Sequence, residues 1–162
     1  MAQDVKINCE SGKFKFRVVG ILRYKDMFLV QKIQNNTFYC LAGGHVELGE
    51  DTHSAIEREM KEELPYAFKV NKLVTVIQNF FKDDNGKVFH EIGYYYLLDC
   101  MEDITELSKV VVENDKGEMK RLEYKWLTLE EIENEDFRPF ILKDLLKDID
   151  NAQGHIILKE EK

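Results

Sequence analysis

The sequence predicts an α+β fold, a single domain over residues 1–162 in which a mixed β-sheet lies between helices. Three observations predict it. Segments rich in β-branched and aromatic residues recur in both halves of the chain. Hairpin signals join several of them, which implies antiparallel pairing. A helical segment interrupts the strands and another follows them, so helices must cover the sheet faces.

In chain order, residues 14–24 (FKFRVVGILRY) read as a strand, and Lys25-Asp26 as a turn into a second strand over 27–33. Asn35-Asn36-Thr37 is a polar break. Residues 38–41 form a short apolar run that ends at Ala42-Gly43-Gly44. Helical periodicity then holds from about Thr52 to Glu63, with Asp51 or Thr52 as the cap. Pro65 ends this helix, because proline disfavours α geometry at Leu64. Residues 73–81 and 88–98 are two further strands joined at the turn Asp83-Asp84-Asn85-Gly86. Asn114-Asp115-Lys116-Gly117 repeats that signal before a strand around 122–126. Thr128 is placed to cap a short helix. Pro139 is placed to open the last one, with Phe140, Ile141, Leu145 and Ile149 on its apolar face. No loop is long or polar enough to act as a linker between domains.

Composition excludes several functions. Twenty-three basic against 31 acidic residues give a formal charge of −8, so backbone phosphates are repelled and broad nucleic-acid binding is not expected. A small polyanion still binds where metal ions reverse the local charge. Cys9, Cys40 and Cys100 are scattered and form no C-x-x-C. They read as small buried apolar side chains in a reducing cytoplasm rather than as disulfides or zinc ligands. With no secretory-type start and no apolar run of membrane-spanning length, a soluble cytoplasmic protein with no membrane partner is expected.

The informative stretch is residues 47–63 (ELGEDTHSAIEREMKEE). It carries seven acidic residues against Arg58 and Lys61, a net −5. At about 100° per residue, Glu59, Glu62 and Glu63 fall within an arc of roughly 100°, while Glu57 points away. Ile56, Met60 and Leu64 form the neighbouring apolar edge. Like charges at these spacings cost roughly 0.2–0.5 kcal/mol per pair on an exposed helix. A cation would compensate them, and carboxylate oxygens suit hard cations such as Mg²⁺ or Mn²⁺. The plainer use of such a helix is a solvated acidic face. The preceding Gly43-Gly44 reads as a glycine turn that admits close approach of a ligand and offers backbone carbonyls to the same metals.

These residues resemble the Nudix hydrolase family, whose box is G-x5-E-x7-R-E-U-x-E-E-x-G-U with U a bulky apolar residue. The chain reads Gly44, five residues, Glu50, seven residues, then Arg58-Glu59-Met60-Lys61-Glu62-Glu63 and Leu64-Pro65-Tyr66. Pro65 replaces the box glycine and Tyr66 the usual aliphatic residue, both at the helix exit and away from the carboxylates. The resemblance implies an α/β/α sandwich with a mixed sheet. It also implies hydrolysis of a nucleoside diphosphate linked to another group: a nucleotide sugar, ADP-ribose, a dinucleotide polyphosphate or a nucleoside triphosphate. It further implies Mg²⁺, with Mn²⁺ as an alternative, held by Glu59, Glu62, Glu63 and the Gly43 carbonyl. One of the glutamates serves as general base, Arg58 orients a glutamate, and Gly44 and Glu50 brace the loop and helix. A non-catalytic nucleotide sensor on the same fold is the second reading, which the complete set Arg58, Glu59, Glu62 and Glu63 disfavours. The partner is then a small nucleotide-type pyrophosphate, and a homodimer is compatible with the sequence.

Other candidates are weaker. Glu91, on a strand, is a further candidate metal ligand or base, although a solvent-facing strand glutamate is commoner. His45 and His90 lack a metal-ligand spacing partner, and His53 sits at a variable box position. Tyr94, Tyr95 and Tyr96 offer rings for a base but fit sheet packing better. Residues 130–136 read as a solvated acidic face.

Overall fold

In the computed structural model, which describes residues 2–115, 118–152 and 154–159, the chain opens with β1 (Lys6–Asn8), β2 (Gly12–Ile21), β3 (Arg23–Tyr24), β4 (Met27–Ile33) and β5 (Gly43–His45). Helix α1 (Thr52–Glu63) follows, then β6 (Phe68–Lys82), β7 (Val88–Cys100), β8 (Lys109–Asp115) and β9 (Glu118–Thr128). Helices α2 (Leu129–Asn134) and α3 (Ile141–Lys147), a 3-10 turn over Ile149–Asn151, and β10 (His155–Lys159) complete it.

The expected mixed sheet runs β1-β2-β7-β6-β10, with β5 also paired to β2. The pairs β2–β7 and β6–β10 are parallel and the others antiparallel. Period-2 alternation gives it two apolar faces. On β7, Tyr96 and Leu98 meet the buried edge of α1, while Tyr95 and Leu97 meet α3. A second, antiparallel sheet runs β3-β4-β9-β8.

That second sheet separates expectation from structure. Residues 14–24 form two strands, because the chain leaves the first ladder at the buried Leu22 and enters the second as β3. The expected strand 73–81 starts at Phe68, and register shifts at Val70/Lys72 and Leu73/Thr75 break the alternation that would reveal it. Strands β8 and β10 were not expected. β8 and β9 pair as far as Asp115↔Glu118, while Lys116 and Gly117 of the expected turn lie outside the described residues. The last helix opens at Ile141, not Pro139. A turn precedes it, with Leu142 N–H donating to the Pro139 carbonyl (3.0 Å), and this shifts the helix phase. Phe140 is 62% exposed, whereas Leu145 and Ile149 are buried as expected, Ile141 is half-buried, and Leu142 and Leu146 join the buried face.

Helix α1 forms where its caps place it. Asp51 Oδ1 accepts from Ser54 N–H (3.0 Å), and Leu64 leaves the helix in extended geometry before Pro65. Ile56, Met60 and Leu64 are fully buried. Each such side chain contributes about 1.5–3 kcal/mol on burial, well above the roughly 0.2–0.5 kcal/mol per like-charge pair on its other edge. Docking on the sheet therefore outweighs the repulsion along the acidic edge. Among the described residues no helix is long and apolar enough to cross a membrane.

Candidate active site

Arg58 is the hub of the acidic edge. Its Nε and Nη2 donate to the two oxygens of Glu50 at 2.8 and 2.9 Å, a planar fork on a carboxylate. Nη2 also donates to the His45 carbonyl (3.0 Å), which ties α1 to β5. Nη1 donates to Glu59 at 2.9 Å and Glu62 at 3.4 Å. Glu50 Oε2 in turn accepts from Glu47 N–H (3.0 Å), closing the loop ahead of the helix. Hydrogen bonds from Arg58 hold the Glu50 carboxyl below its ordinary range, and those carboxylates raise Arg58.

The three glutamates differ. Glu62 is mostly exposed, Glu59 is largely covered, and Glu63 is 8% exposed. Burial pushes the Glu59 carboxyl upward against the pull of Arg58. Glu59 and Glu62 share Arg58 Nη1, while Glu63 turns into the core, where the Tyr124 hydroxyl donates to its Oε2. Among the described residues, no three His, Cys, Asp or Glu side chains stand together as a ready cluster for a metal ion. The Arg58 guanidinium lies against two of these carboxylates, Glu59 and Glu62.

Gly43 and Gly44 correct the expected turn. They lie in β5, opposite Val19 and Val18 of β2, and neither has positive φ. Close approach is what demands glycine here. A Cβ on Gly43 would fall 2.1 Å from the Val18 carbonyl oxygen, and one on Gly44 would fall 2.0 Å from Glu59 Oε2. Gly44 thus makes a cradle for the Glu59 carboxylate directly beside the Gly43 peptide. The left-handed bend is at Gly49 (φ 84°), just before α1.

Glu59 and Glu62, which share Arg58, offer carboxylate oxygens of the kind that hard divalent cations take, and Glu59 is seated in a cradle that a side chain would fill. The ions that suit such a site act as Lewis acids and lower the pKa of bound water.

Glu91 lies elsewhere, 3.6 Å from Lys15, in the lining of a cavity of about 60 Å³. Arg17, Asn79, Gly93, Tyr95 and Arg138 share that lining. Arg17 Nε is buried with no hydrogen-bond partner among the described residues. Cys40 connects the two regions. Burial raises its thiol to about 11, and the charges of both Arg17 and Glu63 act on it. Tyr95 and Tyr96 are core residues, and Tyr94 packs on Phe16 and Tyr96. His90 stacks on Phe80, and His53 stands edge-on to Tyr96. The acidic run 130–136 caps and pairs: Glu131 closes a capping box with Thr128, and Glu133 meets Lys147. Sequence reasoning missed Tyr124, Arg17 and Asn79. Their one signal was a polar group within an apolar strand pattern.

A mixed sheet between helices carries an arginine-clamped glutamate edge beside a glycine strand. The chain belongs to the NUDIX family, whose domain model matches residues 14–148. Over 87 residues, 52% of this chain and 50% of the other, it is 36% identical to an ADP-ribose pyrophosphatase of Methanocaldococcus jannaschii. The chain thus spans about half the length of that curated relative. A NUDIX hydrolase from Nitrosomonas europaea shares the fold at TM-score 0.58 and 18% identity, covering 88% of this chain and 92% of that one. An ADP-ribose pyrophosphatase from Streptococcus suis does so at TM-score 0.58 and 10% identity, covering 90% and 98%.

Proposed function

We propose that the protein hydrolyses the pyrophosphate bond of a nucleoside diphosphate linked to another group, with Mg²⁺ as the favoured ion and Mn²⁺ as a substitute. The observation that carries this reading is the Glu59 carboxylate seated in the Gly44 cradle and shared by Arg58 with Glu62. The M. jannaschii relative makes ADP-ribose the first substrate to test.

Glu59, Glu62, Glu63 and the Gly43 carbonyl would hold the ion, which when bound polarises the P–O bond and makes water a stronger nucleophile. Arg58 aligns Glu59 and Glu62, and Glu50 keeps Arg58 in place through its two-point contact. A glutamate of this edge takes the proton from the attacking water. No side-chain nucleophile is needed. At about 60 Å³ the cavity takes only an edge of the group beyond the phosphates. There Arg17 offers an N–H donor that lacks an acceptor among the described residues, Asn79 offers both donor and acceptor, and Glu91 offers an acceptor. Glu91 is thereby assigned to substrate contact rather than to the metal.

Purified protein incubated with ADP-ribose and Mg²⁺ should yield AMP and ribose 5-phosphate, read by ³¹P NMR. The same assay should cover nucleotide sugars, diadenosine polyphosphates and nucleoside triphosphates, and Glu62→Gln or Glu63→Gln should strongly reduce turnover. Absence of phosphate-bearing products across the whole panel, with nucleotide still bound, would instead support the non-catalytic sensor.

A further inference from the structure

We propose that Tyr124 is a positioning residue of the active site, anchoring Glu63 from the β9 side as Arg58 anchors Glu59 and Glu62 from the helix side. The inference rests on the reading of Glu63 as part of the cation-binding edge.

Tyr124 lies on β9 with Leu122 and Trp126, alternate positions that face the α1 side of the core. It is fully buried. A buried phenol must place its hydroxyl on a partner, and this one donates to Glu63 Oε2. Trp126, two residues on, resolves the same demand differently: its indole N–H donates to the Ile104 carbonyl at 2.9 Å. An ordinary backbone acceptor thus satisfies Trp126, whereas Tyr124 reaches a carboxylate of the acidic edge.

The geometry has a mechanical consequence. A carboxylate's last torsion is broad and nearly two-fold, so a glutamate at the end of a helix leaves its two oxygens interchangeable. Anchoring Oε2 removes that freedom and presents Oε1 in one orientation. Glu63 is the last residue of α1, where the helix supports it least, and an anchor from another element matters most there. The cross-strand neighbour extends the polar spot. Gln31 of β4 pairs with Tyr124 in the ladder and is 5% exposed. It stands between Leu29 and Ile33 on an apolar face, and its Oε1 has no hydrogen-bond partner among the described residues. Two polar side chains therefore interrupt an apolar layer beside Glu63. A core tyrosine serving packing alone is satisfied by a backbone acceptor and requires no carboxylate.

Partners that orient metal-ligating side chains typically cost about 10–100-fold in metal affinity or activity when removed. Tyr124→Phe deletes only the hydroxyl and keeps the ring. Mn²⁺ affinity of the metal-free protein, read by EPR well below the melting temperature, should fall about 10–100-fold. Turnover of the best substrate should fall in parallel, with KM within about twofold. On a Glu63→Gln background the same change should add no further loss of Mn²⁺ affinity. The proposal is overturned if Tyr124→Phe keeps wild-type Mn²⁺ affinity and kcat, or if its loss multiplies with that of Glu63→Gln. In both cases a wild-type enzyme that binds Mn²⁺ and turns over leaves the wider functional reading standing. A wild-type protein that binds no Mn²⁺ overturns both.

Discussion

Gly44→Ala separates the site from the fold with one methyl group. The added Cβ would fall 2.0 Å from Glu59 Oε2 and 2.1 Å from Cδ, where ordinary contact begins at 3.4 Å. The carboxylate must therefore retreat by at least 3.4 − 2.0 = 1.4 Å, which takes it out of the cradle and off Arg58 Nη1. Stability should change little. Gly44 sits in strand geometry without positive φ, so alanine adds no backbone strain and stiffens the unfolded chain, worth about 0.4–1 kcal/mol. The lost Glu59–Arg58 contact is partly solvated and offsets that by a similar amount, about 1 kcal/mol. The net effect is within about 1 kcal/mol, or roughly 2–4 °C in Tm for a chain of this size. Activity should respond far more strongly, because a misplacement of about 1 Å can cost roughly 100-fold. The assay is kcat/KM for the best substrate beside a thermal melt. Wild-type turnover in a folded Gly44→Ala protein would refute the cradle. A collapse of Tm would show that Gly44 serves the fold instead.

Three further outcomes follow from the same geometry. Burial raises the Glu59 carboxyl, so its contribution to stability declines as pH rises through the folded pKa; Glu59→Gln should melt at the same or a higher temperature at neutral pH while losing activity, and a clear drop in Tm would contradict this. Burial, with help from Arg17, lowers His45 from 6.5 to about 4, so its neutral form is favoured in the fold. The associated stability is complete above pH 6.5 and lost as pH falls toward 4; His45→Gln should flatten denaturant midpoints across that window, and an unchanged slope would remove His45 as a cause. Arg17→Ala should raise KM by about tenfold or more with kcat nearly preserved if its donor meets the substrate away from the reacting phosphorus, as proposed; an equal fall in kcat at constant KM would place Arg17 in the chemistry.

Local signals with a physical stop were legible in the sequence. Helix α1 begins and ends as expected, because Asp51 caps it and Pro65 forbids its continuation. The β6–β7 hairpin turns at the expected Asp83–Gly86, with Gly86 at φ 77°. Thr128 caps α2 as its spacing suggests. What depends on distant pairing was not legible. The passage from β2 to β3 at Leu22 follows from which ladder each half joins, and the apolar pattern is continuous across it. β10 is a five-residue strand whose partner, β6, lies some eighty residues earlier and runs parallel to it. The opposed direction of Glu57, which bonds Val70 N–H, was readable from helical geometry, whereas the turn of Glu63 into the core toward Tyr124 was not. The anchors were not. Tyr124 and Glu63 are 61 residues apart, and nothing local joins them. Gly44 reads as a turn in the sequence because glycine signals a turn more often than a strand pressed against a carboxylate.

The most direct measurement is a Mn²⁺ titration of the metal-free protein by EPR, run on the wild type, Glu59→Gln and Glu63→Gln. The account predicts saturable binding by the wild type and a loss of at least about tenfold in each variant, with all three folded. Equal affinity in the three, or no binding by the wild type with nucleotide present, would contradict a cation-holding role for this edge.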